Sequence, residues 1–495
     1  MRAPVGRCRP RGQASSAFSV AAVVVLALTS SAVAQERFRR TPPLPDSQRL
    51  ELKLPAIETF TLPNGLTVAT ARRPESSVVT LQLVVRAGEA DSPADRPGVA
   101  AMTARMIGKR TKMLSADYLE NMIESLGATF TVSVFLDYTV LTMNVLPKSL
   151  ERAIFVLRLI ALDAVFSERE LGAVRRAAFW ELYEQKKNPE VLGWRQLLRV
   201  LFEGHPYRIA TYNEDVIKFI TPRDVTAFYS RFYRPGNSAV LVSGNIDGGA
   251  TALKVASHFG AWAGQAPERA VSLPPLPNEK ERFCYVEAPD QSAATVFVGN
   301  IIMDSSDPDF FPFLVLKQVL GGTTGSRLFM NLREAKRYAT YAFSEMEMFR
   351  SCGVYWARAR VRPESVIPAA REILREIGAL AAGQVLPSEI EEAKSYLIGN
   401  MPMRFETPGG FADWMARSVA LGLGAGQWDK GPEELMLVNV ERARETARRY
   451  LTPRPVVVIV GRPEWIGPFL GEIDALEVYD TGGQFKHVVG KGETR

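Results

Sequence analysis

Histidine is scarce in this sequence: His205, His258 and His487 are the only three among 495 residues. None has a second histidine or a suitable carboxylate at ligand spacing, which excludes a ready-made histidine metal cluster. Cysteine is equally scarce, with Cys8, Cys284 and Cys352 alone, and that excludes a disulfide framework. Cys284 and Cys352 read as packing residues, with a single pairing between them left open. No stretch interleaves dense lysine and arginine with aromatic residues, so the sequence carries no nucleic-acid footprint. The net charge of +6 does not amount to one. Arg2, Arg7, Arg9 and Arg11 crowd the N-terminus, and 60 basic residues less these four leave 56 against 54 acidic. Beyond the N-terminal segment no apolar run approaches the length that spans a bilayer, so stable membrane insertion is not expected.

What is present is the balance of a folded chain, with 46% hydrophobic and 23% charged residues. The length exceeds a single core and suits two to four domains. The N-terminus has basic residues first, then an apolar run from Ala17 to Leu28, then Ala32-Val33-Ala34 before Gln35. This is the order of a secretory signal. Residues 1–34 are therefore expected to be removed on export to the periplasm or the outside. An uncleaved anchor is the alternative. Cys8 precedes the apolar run, whereas a lipoprotein's cysteine would follow it. Residues 35–54, with Pro42, Pro43 and Pro45, read as an extended lead-in.

The remainder divides into two similar halves. Asn64-Gly65 between apolar runs predicts a hairpin. Val79, Leu81, Leu83 and Val85 alternate and predict a strand with one buried face. Helical spacing follows at 98–109 and 115–126, then two strands joined near Asp137, then helices at about 149–164 and 168–186. The first half closes with a helix ending Arg231-Phe232-Tyr233 and a strand ending at Gly244. The second closes alike, with Arg448-Arg449-Tyr450 and a strand ending at Gly461. Tyr233 to Tyr450, Gly244 to Gly461 and Arg231 to Arg448 share one offset of 217 residues, which points to an internal duplication. Pro274, Pro275 and Pro277 mark a linker over 266–279, between a first lobe at 55–265 and a second at 280–475; residues 476–495 read as a tail. Strands and helices cluster rather than alternate. The expected fold class is α+β, two homologous lobes, each a largely antiparallel sheet flanked by helices.

Several segments in order carry a resemblance. They are Leu62-Pro63-Asn64-Gly65-Leu66, the stretch from Gly88 to Thr111, Asn188-Pro189-Glu190, His205-Pro206-Tyr207 and Phe232-Tyr233-Arg234-Pro235-Gly236-Asn237. Val242-Ser243-Gly244-Asn245, Gly321-Gly322 and the run from Ser326 to Glu334 follow. With them the chain resembles the pitrilysin/insulinase family of zinc peptidases, in its shorter bacterial and mitochondrial-processing-peptidase-like form, over about residues 55 to 470. The resemblance implies two lobes of one fold, and a pair of such chains closing like a clam around an unfolded peptide.

Active members of that family carry H-x-x-E-H on a helix, with two histidines at i and i+4 as zinc ligands and the glutamate as general base. A glutamate on a later helix is the third ligand. The matching stretch here runs from Gly98 to Met106. Ala101 and Arg105 stand at the histidine positions and Ala104 at the glutamate position. Glu181 falls at the distal ligand position. Alanine has no lone pair to donate, and an arginine stays protonated and repels a divalent cation. No zinc cofactor is therefore expected, although the family uses one. Glu181 either pairs with Arg105, which supplies the positive charge a metal would have brought, or is a solvated helix carboxylate; the pair is the favoured reading. His205 reads as structural, His258 as helix surface or core filler, and His487 as part of a disordered polar tail.

The second half keeps more. In the family, an arginine in a Leu-Arg-Glu motif and a tyrosine seven residues later hold the substrate backbone. Arg333 matches the arginine. Thr340 occupies the tyrosine position, with Tyr341 one residue beyond and Tyr338 two before. A guanidinium and a phenol donate hydrogen bonds that suit a peptide carbonyl. A surface salt bridge of Arg333 to Glu334 or Glu345 is the bland alternative. Gly321-Gly322-Thr323-Thr324-Gly325-Ser326 lacks the G-K-[ST] ending of a phosphate loop and reads as a tight loop before a helix. The resemblance and the lost motif together imply a non-catalytic subunit that pairs with a zinc-bearing homologous peptidase and helps bind unfolded peptide, with capture at an open sheet edge. A stand-alone peptide-binding or scaffold protein, and a hydrolase with a rebuilt site, are the alternatives.

Overall fold

Asn64-Gly65 forms the expected turn. Gly65 takes φ 86° and the turn joins β1 (Ile57–Thr61) to β2 (Thr67–Arg72) in antiparallel register. This computed structural model describes residues 54–211, 214–268, 281–423, 431–451, 454–465, 467 and 473–490. The expected signal segment, nearly all of the lead-in and most of the expected linker lie outside the described residues.

The first sheet has the order β1-β2-β6-β3-β5-β4, with β3 (Val79–Val85), β4 (Thr129–Val134), β5 (Thr139–Val145) and β6 (Ser238–Gly244). Only β2 and β6 run parallel. The longer helices of this half are α1 (Val99–Met106), α2 (Ala116–Ser125), α3 (Leu150–Leu162), α4 (Glu168–Gln185), α5 (Pro189–Leu201), α6 (Pro222–Phe232) and α7 (Gly248–Phe259). The second sheet has the order β13-β12-β7-β11-β8-β10-β9. Its strands are β7 (Arg282–Glu287), β8 (Ala294–Ile302), β9 (Ala339–Met348), β10 (Gly353–Val361), β11 (Val456–Gly461), β12 (Ala475–Tyr479) and β13 (Phe485–Gly490). Its longer helices are α8 (Phe310–Gly321), α9 (Val366–Ala381), α10 (Pro387–Arg404), α11 (Pro408–Leu421) and α12 (Val440–Tyr450). The order β2-β6-β3-β5-β4 in one sheet recurs as β7-β11-β8-β10-β9 in the other. Gly244 and Gly461 end the equivalent strands β6 and β11, so the offset read from the sequence is a structural repeat.

Each sheet packs its own helices on one face. Leu81, Leu83, Val240 and Val242 meet α1, α3, α6 and α7 in the first half. Val296, Val298, Val457 and Ile459 meet α8, α9 and α12 in the second. The opposite faces are covered by exchange. Helix α11 lays Phe411, Met415 and Ala416 on Val84, Val140 and Leu241 of the first sheet. Helix α5 lays Leu197, Leu198 and Leu201 on Val286, Phe297 and Val458 of the second. Each large apolar side chain so buried contributes roughly 1.5–3 kcal/mol. The exchange corrects one expectation: β3 is buried on both faces, not one.

The two exchanged helices start alike. Asn188 caps α5 by accepting from the Glu190 amide at 2.9 Å, and Thr407 caps α11 by accepting from the Gly410 amide at 3.0 Å; proline follows in both. Close contact of α5 with the second sheet needs a bare backbone. A Cβ on Gly193 would lie 2.1 Å from the Phe297 ring. Polar contacts pin the exchange. The Arg73 guanidinium donates to the Phe405, Glu406 and Thr407 carbonyls at the end of α10, and Gln82 Nε2 donates to Asp413 Oδ1 at 2.6 Å.

The expected tail is a further correction. Residues 475–490 carry β12 and β13, and β12 adds parallel to β7 while burying Leu476 and Val478. His487 therefore sits in β13, opposite Val478, rather than in a disordered end. Arg199 of α5 holds this hairpin by donating to the Gly482 carbonyl at 3.2 Å. Cys284 and Cys352 are free thiols, both buried against α5.

Candidate functional site

Helix α1 begins where Gly98 takes φ 90° and runs for only eight residues. Its first amides would be left bare, and the chain just before it satisfies them. Glu89 Oε1 accepts from the Ala101 amide at 2.8 Å, and Ser92 Oγ accepts from the Ala100 amide at 3.1 Å. The Ser92 hydroxyl donates to Glu89 Oε2 at 3.3 Å. Burial pushes the Glu89 carboxyl up to about 7, against the opposing pull of these hydrogen bonds and of the Arg105 charge. Glu89 escaped the sequence reading. Its only signal was an acidic residue ahead of a helix start.

Ala101 and Ala104 are 7% and 2% exposed, packed inside the fold. Arg105 lies in the last turn of α1, where a cation suits the helix dipole, and its Nη2 is 2.7 Å from Glu181 Oε2 on α4. Gln185 Nε2 donates to the other Glu181 oxygen at 3.0 Å. The favoured ion pair is thus formed. The residues do not fit a zinc ion: two alanines offer no donor, and a guanidinium fills the space beside the one carboxylate. Among the described residues no group of three or more His, Cys, Asp and Glu side chains is placed to hold a metal.

Around this pair α4 turns Phe179, Trp180 and Tyr183 outward, with Trp180 63% exposed. Their rings meet edge to face at 6.3 Å and 5.9 Å. The open edge of the first sheet on this side is β4, whose Phe130 packs against Gly108 just beyond α1. Among the described residues the other edge strands are β1, β9 and β13.

Arg333 and Tyr341 belong to the second half. Arg333 sits in a π-helical stretch, Phe329–Ala335, stacked over Phe329 with 4.7 Å to the ring centroid and 3.7 Å from Glu334. The bland partner Glu334 is therefore present, while Glu345 pairs with Arg358 instead. Arg337, just after this stretch, takes φ 55°. In β9 the register shifts opposite Arg360 and Val361, so Thr340 is an unmatched extra residue. The bulge places Tyr341 on the same face as Phe343 and Glu345. Its hydroxyl donates to the Glu190 carboxylate of α5, and Arg358 bonds the same carboxylate. Burial, then this bond to Glu190, pushes the Tyr341 hydroxyl up.

The histidines are apart from all of this. His205 Nδ1 accepts from the Tyr207 amide at 3.1 Å, and His258 lies 5.8 Å from the Phe155 ring. The glycine-rich stretch joins α8 to the π-helical stretch and presses Gly321 against the β9 backbone at Ser344, as a tight loop would.

The family model described as insulinase, peptidase family M16, matches residues 67–215, and that described as the peptidase M16 inactive domain matches residues 220–397. An uncharacterized zinc protease of Mycobacterium leprae is 24% identical over 413 residues, covering 81% of this chain and 91% of the relative. The zinc protease PqqE of Helicobacter pylori is 24% identical over 393 residues, covering 76% and 87%. Among solved structures, a Pseudomonas fluorescens peptidase M16 inactive domain superposes with TM-score 0.77 at 20% identity, over 82% of this chain and 98% of that one. The first half of the periplasmic protease PqqL of Escherichia coli superposes with TM-score 0.69 at 16% identity, over 83% and 93%. The structural matches establish the fold, and together with the two family models they make this chain a member of peptidase family M16.

Proposed function

We propose that the chain is the non-catalytic subunit of a two-chain peptidase, paired with a zinc-bearing homologue and contributing to the binding of unfolded peptide. One observation supports the reading: Arg105 and Glu181, the residues that the resemblance aligns with two of the family's zinc ligands, pair with each other at 2.7 Å. A guanidinium there can donate to a peptide carbonyl, yet it cannot lower the pKa of a bound water as zinc does. The β4 edge beside α1 offers unpaired backbone groups for strand addition. Arg333, 48% exposed by side chain, is the group this chain would lend to its partner's active site. The signal-like N-terminus and a likeness to a periplasmic protease favour export, and no helix of the described residues is long and apolar enough to cross a membrane.

The test is a zinc assay and a peptidase assay on residues 35–495, alone and mixed with a homologue that carries an intact H-x-x-E-H. The expected result is no metal and no hydrolysis alone, and hydrolysis in the mixture that exceeds the partner's own and is lost with Arg333→Ala. Stoichiometric zinc with chelator-sensitive cleavage by the chain alone would overturn it. The exposed Phe179, Trp180 and Tyr183 favour a second reading, a stand-alone peptide-binding protein. That reading gains if peptide binds and no homologue changes its fate.

A further inference from the structure

Helix α5 and the β4–β5 turn of one lobe face β9 and β10 of the other across a cavity of about 510 Å³. Aromatic rings from both lobes wall it. Trp194 of α5 lies 4.1 Å from Trp356 of β10, ring centre to ring centre, and Phe135 stacks on Tyr138 at 4.5 Å. Beside Trp356, its cross-strand partner Glu345 and then Glu347 stand two residues apart on one face of β9, with 41% and 40% of their side chains exposed.

Each of these carboxylates is only half used. Glu345 Oε1 takes Arg358 at 2.7 Å and Glu347 Oε1 takes Arg417 at 3.3 Å. Neither Oε2 accepts a hydrogen bond among the described residues. Arg358 is shared between Glu190 and Glu345. The other arginine of the wall, Arg195, donates to Gln185 Oε1. Burial pushes the Glu347 carboxyl up against the pull of Arg417, and the neighbouring Glu345 charge adds to the rise.

We propose that this cavity binds an organic cation, a primary ammonium or guanidinium group, between the carboxylates of Glu345 and Glu347 and the side of the Trp194–Trp356 ring pair that lines the cavity. A cation gains from the negative faces of the rings and from the carboxylates together. An anion would be repelled by the same oxygens, and an apolar ligand would strip their water without replacing it. The volume falls in the range of sites for small organic ligands. The cation has two possible sources, a free amine or the basic side chain of a bound peptide. The second source rests on the peptide-binding reading above, and the first stands without it.

Titration calorimetry of residues 35–495 decides. The probes are agmatine, a decapeptide with one arginine, and the same decapeptide with citrulline in its place. Agmatine or the arginine peptide is expected to bind, and Glu345→Gln and Glu347→Gln, which keep shape and fold, should each weaken that binding about tenfold or more. Binding of the arginine peptide alone, with the citrulline peptide about tenfold weaker, assigns the cation to a peptide. Equal binding of arginine and citrulline peptides without agmatine binding overturns the cation site and leaves peptide binding standing. No binding of any probe, or binding unmoved by both glutamine variants, overturns the cation site outright. Melting curves of the two variants confirm that the fold is retained.

Discussion

Arg105 stands where the family resemblance expects a zinc ligand, and the ion pair it makes with Glu181 is weak. Its pair with Glu181 is half exposed, 33% and 47% by side chain. Arg105→Ala is therefore expected to lower stability by no more than about 1 kcal/mol in urea unfolding. Reversing the loss is the sharper test. Ala101→His with Arg105→His places two imidazoles at i and i+4 beside Glu181, and metal analysis should then find about one zinc per chain. Glu89 behaves differently because it is buried. Its folded-state value of about 7 lies above the ordinary carboxylate value. The folded protein thus holds a proton that the unfolded chain releases, and stability falls as pH rises from about 4.5 to about 7. Glu89→Gln keeps an acceptor for the Ala101 amide and removes that fall. The variant should melt higher than the parent at pH 8 and show a flatter profile below it. Arg337, at φ 55°, is the one described non-glycine residue with positive φ. Arg337→Gly should stabilise by up to about 1 kcal/mol, the left-handed penalty less the entropy of glycine.

At the scale of elements, α5 decides how the halves meet. It caps itself on Asn188, buries Leu197 and Leu198 on a foreign sheet, and carries Glu190 to Tyr341 and Arg358. Gly193→Ala would drive a methyl into the Phe297 ring. A loss of about 1–3 kcal/mol is expected, with Phe297→Leu restoring part of it in a double-mutant cycle. The β9 bulge at Thr340 is a second decisive detail. A spacing one residue too long in sequence still turns Tyr341 inward, because the extra residue is absorbed by the bulge. Counting residues from Arg333 could not show this.

At the scale of the molecule, the exchange of α5 and α11 makes each lobe incomplete without the other. Residues 54–268 alone would bare Val84, Val140 and Leu241, which α11 covers. Expressed singly, each half is expected to aggregate or stay molten, and co-expression should recover a soluble complex. The intact chain should melt in one transition by calorimetry, since Arg73, Gln82 and Asp137 tie the halves at separate points.

Local pattern determined most of the fold. The Asn64-Gly65 turn, the alternating strands, the helical spacing and the 217-residue repeat are legible along the chain, and so is the lack of imidazole or carboxylate at Ala101, Ala104 and Arg105, which is a matter of which atoms the side chains carry. Tertiary structure decided what depends on distant partners. It buried the second face of β3 under α11, added β12 to β7 from a stretch that looked like a tail, brought Glu89 to the start of α1, and set Trp194 beside Trp356. Each of these joins residues from separate elements, several of them across the two lobes. Periodicity reports which face of an element is apolar, and not which surface will come to cover it.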